Sequence, residues 1–129
     1  QQMPAAKAQL HAWDDIPLEQ LNPDLGRKMV TGQNVMLTQI FLYKGCIVPK
    51  HNHHNEQVTY VLQGALKFLL GEGQDEEVIV RAGEVLVIPS NLPHSAEALE
   101  DTFDIDIFDP PRQDWLDGTD NYLREAERG

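Results

Sequence analysis

Cysteine is nearly absent from this chain. Cys46 stands alone among 129 residues, which excludes an intramolecular disulfide and any thiolate-based zinc site. Within Gly45-Cys46-Ile47-Val48-Pro49 it reads as a packed small residue. Positive charge is scarce too: 10 basic residues face 21 acidic ones, a formal net charge of −11. Nucleic acid, whose binding depends on neutralising phosphates, is therefore not an expected partner, and neither is an anionic membrane. No run approaches the ~18 apolar residues of a membrane-spanning helix. Apolar residues still make up 41% of the chain, enough for the core of a soluble protein, and the length suits one domain over residues 1–129. The chain begins Gln1-Gln2 rather than with Met. That fits a trimmed start or a removed export signal, so a cytoplasmic and an exported location both stay open.

What the chain does have is regular punctuation. Short strand-like runs cover residues 35–43, 57–62, 65–70, 77–81 and 85–88, a stretch near Ser95, and residues 102–108. Gln63-Gly64 reads as a tight hairpin connection. This rhythm predicts an all-β sandwich or barrel over residues 34–108, preceded by an N-terminal arm with edge strands in residues 1–30. After Pro110-Pro111 a helical tail is expected over residues 112–128. Thr119 is its N-cap, Tyr122, Leu123 and Ala126 share one side, and Trp115 and Leu116 anchor it on the barrel.

Histidine is where the chemistry concentrates. His51 and His53, at i and i+2 of an extended segment, share one face. Gln57 has the same parity, whereas Glu56 falls on the opposite face. His94 follows the turn from Pro89 to Pro93, where a second strand can bring it opposite the first pair. Neutral imidazole is the commonest nitrogen ligand of divalent transition metals, and a half-closed set leaves positions for water or substrate. Nickel, zinc, iron and manganese all accept such ligands. His54 alternates away and His11 lies in the N-terminal segment, so neither is expected in the site.

In residues 102–108, Phe103, Ile105 and Ile107 take one face, and Asp104, Asp106 and Phe108 take the other. On spacing alone both aspartates read as solvent-facing. Arg27, Lys28 and Lys50 read as exposed cations, and Tyr60 as core or interface.

These positions resemble the two motifs of small single-domain cupins. The first, G-x5-H-x-H-x3,4-E-x6-G, is met by Gly45, His51, His53, Gln57 and Gly64, with Gln57 where Glu is usual. The second, G-x5-P-x-G-x2-H-x3-N, is met by Gly83, Pro89 and His94, with Asn91 in place of its last Gly and Ala98 in place of its Asn. The resemblance implies a double-stranded β-helix (jelly-roll) barrel with one divalent transition metal in its lumen, held by His51, His53, Gln57 and His94. It also implies a homodimer, often formed by exchanging N-terminal strands.

Within the family, the string HxHxxEQxxYV from His51 to Val61, followed by Asp106, Phe108, Pro110 and Arg112, is similar to the KdgF-type proteins of pectin and alginate breakdown. Those proteins convert 4,5-unsaturated monouronates to the linear keto form. The similarity implies catalytic roles for Asp106, Phe108 and Arg112, with Asp106 as the acid, and turns Asp106 inward but not Asp104. Arg112 would hold a small-molecule acid or, alternatively, bridge to Asp109 or Asp114. Neutral Gln57 in place of Glu leaves more positive charge on the ion, which suits Lewis-acid chemistry. A metal-dependent dioxygenase and a non-catalytic cupin that binds a metal and a small acid are the competing readings.

Overall fold

Alternation of inward and outward side chains runs through most strands and sorts them into a packed interior and an outer face. The computed structural model of the protein describes residues 7–124. After a 3-10 turn at Trp13–Asp15 come ten strands: β1 Glu19–Asn22, β2 Leu25–Thr31, β3 Met36–Leu42, β4 Ile47–His51, β5 Glu56–Gln63, β6 Ala65–Leu70, β7 Glu76–Arg81, β8 Val85–Ile88, β9 His94–Ala98 and β10 Thr102–Asp109. Two short helices follow, α1 Gln113–Asp117 and α2 Asn121–Arg124. All pairings are antiparallel, in a six-stranded sheet ordered β1-β2-β3-β10-β5-β8 and a four-stranded sheet ordered β4-β9-β6-β7. This is an all-β jelly-roll barrel: the strand rhythm predicts a sandwich or barrel, and the family resemblance implies the jelly roll.

Between the sheets lies an apolar core that includes Leu25, Met36, Val61, Leu66, Phe68, Ile88 and Phe108. β10 runs through the middle of the larger sheet, paired on both edges, and its even-numbered residues from Thr102 to Phe108 are all buried. The β5–β6 hairpin turns at Gly64, where φ is +88° and a Cβ would sit 2.5 Å from the Asp101 carbonyl oxygen. No other residue fits there. Asn91 also has a positive φ, 67°. Asn is the side chain that best tolerates this conformation after Gly, which explains how it replaces the motif's glycine.

Several expectations about the tail and the basic residues meet a different outcome. The tail is helical, in two short pieces, because Gly118 ends α1 in the left-handed region and α2 starts only at Asn121. Thr119 is therefore no N-cap; its hydroxyl instead donates to Asp114 O at 3.5 Å. Trp115 is buried as an anchor, but Leu116 is exposed, and Ala126 lies outside the described residues. Arg27, expected at the surface, is fully buried. Its strand position points it inward, where it is paired with Asp120 and Glu19 and lies 4.6 Å from the Trp115 ring. Lys28 is only partly exposed and donates to Trp13 O, whereas Lys50 does meet a surface acid, Glu72. Arg124 joins Asp120 and Glu19 as well, so four charged residues clamp the tail onto β1 and β2.

Candidate metal centre and acid pocket

His51 ends β4 and stands directly opposite His94 at the start of β9. His53 lies two residues beyond the strand, in the loop to β5, and that loop is tied down where Asn91 N donates to His53 O at 2.8 Å. Gln57 reaches the site, but not by sharing one extended segment with the two histidines. It belongs to a different strand, β5, and is brought in by sheet register opposite Phe108. Glu56 and His54 are exposed, as expected, and His11 lies in the exposed segment before β1.

The three rings converge. Their centroids are separated by 4.3 Å (His51–His94), 5.1 Å (His53–His94) and 5.5 Å (His51–His53). One ligand nitrogen from each lies within 4.8 Å of the other two, a group able to hold a metal ion. Each Nδ1 lies 2.8–2.9 Å from a backbone carbonyl, of Pro49, Asn55 and Leu92 respectively. Carbonyls only accept, so each ring carries its hydrogen on Nδ1 and presents the Nε2 lone pair inward, the arrangement that metal-binding imidazoles use. His94 Nε2 is buried with no hydrogen-bond partner among the described residues. Burial lowers the pKa of all three: His51 to about 3, helped by the charge of His94, and His53 to about 4, helped by Arg112. Neutral, oriented and underused donors fit a divalent cation.

The opposite wall is acidic. Asp104 and Asp106 are both buried, which corrects the solvent-facing reading from spacing for both; the resemblance turns only Asp106 inward. The reason is that the alternative face of β10, with Phe103, Ile105 and Ile107, lies on the outside of the sheet. Desolvation raises both pKa values, and Asp104 is raised further by the neighbouring Asp106 charge. Asp106 is relieved by a 2.7 Å hydrogen bond from Thr59 Oγ1, and by Asp104 and Arg112. Thr59 in turn accepts from Gln57 Nε2 at 2.9 Å. Asp104 Oδ1 has no partner among the described residues.

Arg112 closes the pocket. It is buried, stacked 4.8 Å from the Trp115 ring and 5.1 Å from Phe108, and ion-paired with Asp114. Of the two bridges expected, Asp114 is the one formed. Its Nη2 also donates to Tyr122 Oη at 2.7 Å, while Nη1 is buried and has no partner among the described residues. Phe108 packs edge-on against His53 and Trp115. Tyr122, read from the sequence only as a packing residue, stacks on His51 with centroids 4.5 Å apart. These three unpartnered buried polar atoms, His94 Nε2, Asp104 Oδ1 and Arg112 Nη1, belong to residues lining one cavity. Thr59 carries no usable signal in the sequence; for Asp104 the signal is the even-numbered parity it shares with Asp106 and Phe108.

Comparison with known proteins agrees with this architecture. Residues 39–109 match the family described as Cupin domain. The structure of KdgF from Halomonas sp. superposes with a TM-score of 0.78 at 27% identity, covering 85% of this chain and 100% of that one. An RmlC-like cupin from Shewanella frigidimarina superposes with a TM-score of 0.76 at 24% identity, over 84% of this chain and 96% of that one. In sequence, 78 residues are 30% identical to 3-hydroxyanthranilate 3,4-dioxygenase of Rattus norvegicus. That alignment takes in 60% of this chain but only 27% of the dioxygenase.

Proposed function

The chain belongs to the cupin family, and on that footing we propose that it is a metal-dependent enzyme that converts a 4,5-unsaturated monouronate, or a similar small sugar acid, to its linear keto form. The observation that carries this reading is a group of three converging histidines, two of which, His51 and His94, line one pocket with a buried carboxyl pair and an unpartnered guanidinium nitrogen. The similarity to Halomonas KdgF supports it.

Gln57 is the fourth ligand in this proposal. Its Oε1 lies 3.1 Å from His53 Nε2. His53 commits its ring hydrogen to Asn55 O and Gln57 turns its amide nitrogen to Thr59, so the two facing atoms are both acceptors. Such a pair repels unless a cation lies beside it. When bound, a divalent ion of nickel, zinc, iron or manganese supplies Lewis acidity to an oxygen gaining negative charge.

The protein's own residues supply the rest. Arg112 Nη1 receives the substrate carboxylate, with its plane held by Asp114, Trp115 and Phe108. Ring opening breaks the bond between C1 and the ring oxygen as the C1 hydroxyl loses its proton, leaving an aldehyde at C1 and an enolate at C5. A proton then reaches C4 to give the ketone. Asp104 and Asp106, repelling each other's charge in a dry site, hold a proton between them and can both deliver one to C4 and take one from the hydroxyl. Asp106, nearer in the hydrogen-bond chain to the ligand wall, is the acid. Phe108 keeps water from it.

The cavity measures about 50 Å³, room for several water molecules. The deciding assay follows the conjugated absorbance of unsaturated galacturonate with metal-loaded protein. Decay faster than the spontaneous rate is expected, and no acceleration at high protein concentration would discard the proposal.

A second reading, a dioxygenase of a small molecule, draws on the 30% identity to the rat enzyme. Oxygen uptake with turnover would favour it, and full activity without oxygen would exclude it. The family resemblance also points to a homodimer. Exposed Leu37, Tyr60, Val85 and Val87 on the outer face of the six-stranded sheet supply an apolar surface for it. Sedimentation at micromolar protein would show twice the monomer mass.

A further inference from the structure

A carboxamide has two different ends, and a ligand built on Gln rather than Glu needs something to choose between them. We infer that Thr59 is a positioning residue that turns the Gln57 carboxamide so that its oxygen, not its NH2, faces the histidines. The inference rests on the reading of Gln57 as a metal ligand.

The geometry is a chain of three contacts. Gln57 and Thr59 are two apart on β5 and share its inner face, and Thr59 stands opposite Asp106 on β10. Gln57 Nε2 to Thr59 Oγ1 is 2.9 Å, Thr59 Oγ1 to Asp106 Oδ1 is 2.7 Å, and Gln57 Oε1 to His53 Nε2 is 3.1 Å. A hydroxyl has one hydrogen, and here it is given to a carboxylate oxygen. The remaining capacity of Thr59 Oγ1 is to accept, so it selects the donor end of the amide. Oε1 is thereby left at the other end, beside His53. Thr59 and Gln57 are both buried, and Thr59 is fully so, so water does not compete for these bonds. Glu at the same position would have two equivalent oxygens and no need of the device.

Metal affinity tests this without any assay of turnover. Co(II) is the probe ion, titrated against a chromophoric chelator, and the melting temperature of the metal-free protein is recorded alongside. Thr59→Val keeps the shape and removes the hydroxyl; Co(II) binding should weaken about tenfold, in the range expected for loss of a ligand-orienting partner. Thr59→Ser should restore it. In a Gln57→Glu background, where orientation no longer matters, the same Thr59→Val step should change affinity by less than about twofold, below the usual effect of an orienting partner. Equal losses in both backgrounds would reduce Thr59 to a packing residue and overturn the inference. So would an unchanged affinity in Thr59→Val when Gln57→Ala binds weakly, with the ligand reading left standing. Unchanged affinity in Gln57→Ala would remove both. Should Thr59→Val not fold, Thr59→Ala read in the same two backgrounds gives the same decision.

Discussion

The two walls of the pocket are built on different principles. On the imidazole wall each ring is oriented by a carbonyl two residues away in its own chain: Pro49 for His51, Asn55 for His53 and Leu92 for His94. On the carboxyl wall orientation comes from side chains on a neighbouring strand, as in the Thr59–Asp106 bond, which spans 47 residues of sequence. The first wall is local and rigid, and its groups are neutral because burial drains their protons. The second is a network whose members hold one another in place, and burial raises the pKa of both its carboxyls. A lone-pair surface and a proton reservoir thus face each other across one cavity.

Breaking the imidazole wall should have the largest effect. His94→Ala removes a ring that stands opposite His51 and packs 5.1 Å from His53. Co(II) affinity should fall by about a hundredfold or more, well beyond the loss expected for an orienting residue. Metal retained at wild-type affinity would mean that the three rings do not act as one ligand set. Asp106→Asn attacks the other wall and should leave the metal in place, because an Asn Oδ1 can still accept from Thr59. Turnover of the unsaturated uronate should drop by roughly 10²–10⁴, the usual span for a positioned proton donor. If metal and activity disappear together, the walls are not separable functions.

The difference between the walls also decides how much of each is legible in the amino-acid sequence. His51, His53 and His94 are legible because spacing within a motif and a turn at Pro89–Pro93 convey nearly all the information their placement needs. The strands are legible for a similar reason, since 65–70 and 85–88 are bounded by turn residues on both sides. Asp104 is not. An aspartate alternating with Phe103 and Ile105 has the signature of a solvent-facing position, and only the pairing of β10 between β3 and β5 shows which face is inside. Tyr122 is hidden by distance as well, because the tail is located by Arg27 and Asp120, 93 residues apart. A buried Arg in a strand is seldom expected from composition.

The smallest effect gives the sharpest contrast, because the walls should respond to pH with opposite signs. Histidines whose folded pKa is lowered from 6.5 contribute stability that is present above pH 6.5 and is lost as pH falls toward the folded values of about 3 and about 4. Carboxyls whose folded pKa is raised from 3.8 contribute in the other direction, fully below that value and progressively less as pH climbs through the folded one. Asn cannot ionise, so Asp104→Asn should be neutral near the acid end, at about pH 3.5, and stabilising at about pH 8. The gain should appear as a melting temperature raised by a few degrees at the upper limit, the order of a single substitution in a chain of this size. Melting of the metal-free proteins between these limits reads the difference directly. A gain independent of pH would assign it to packing rather than to charge, and would leave Asp104 as a filler of the barrel instead of half of a proton store.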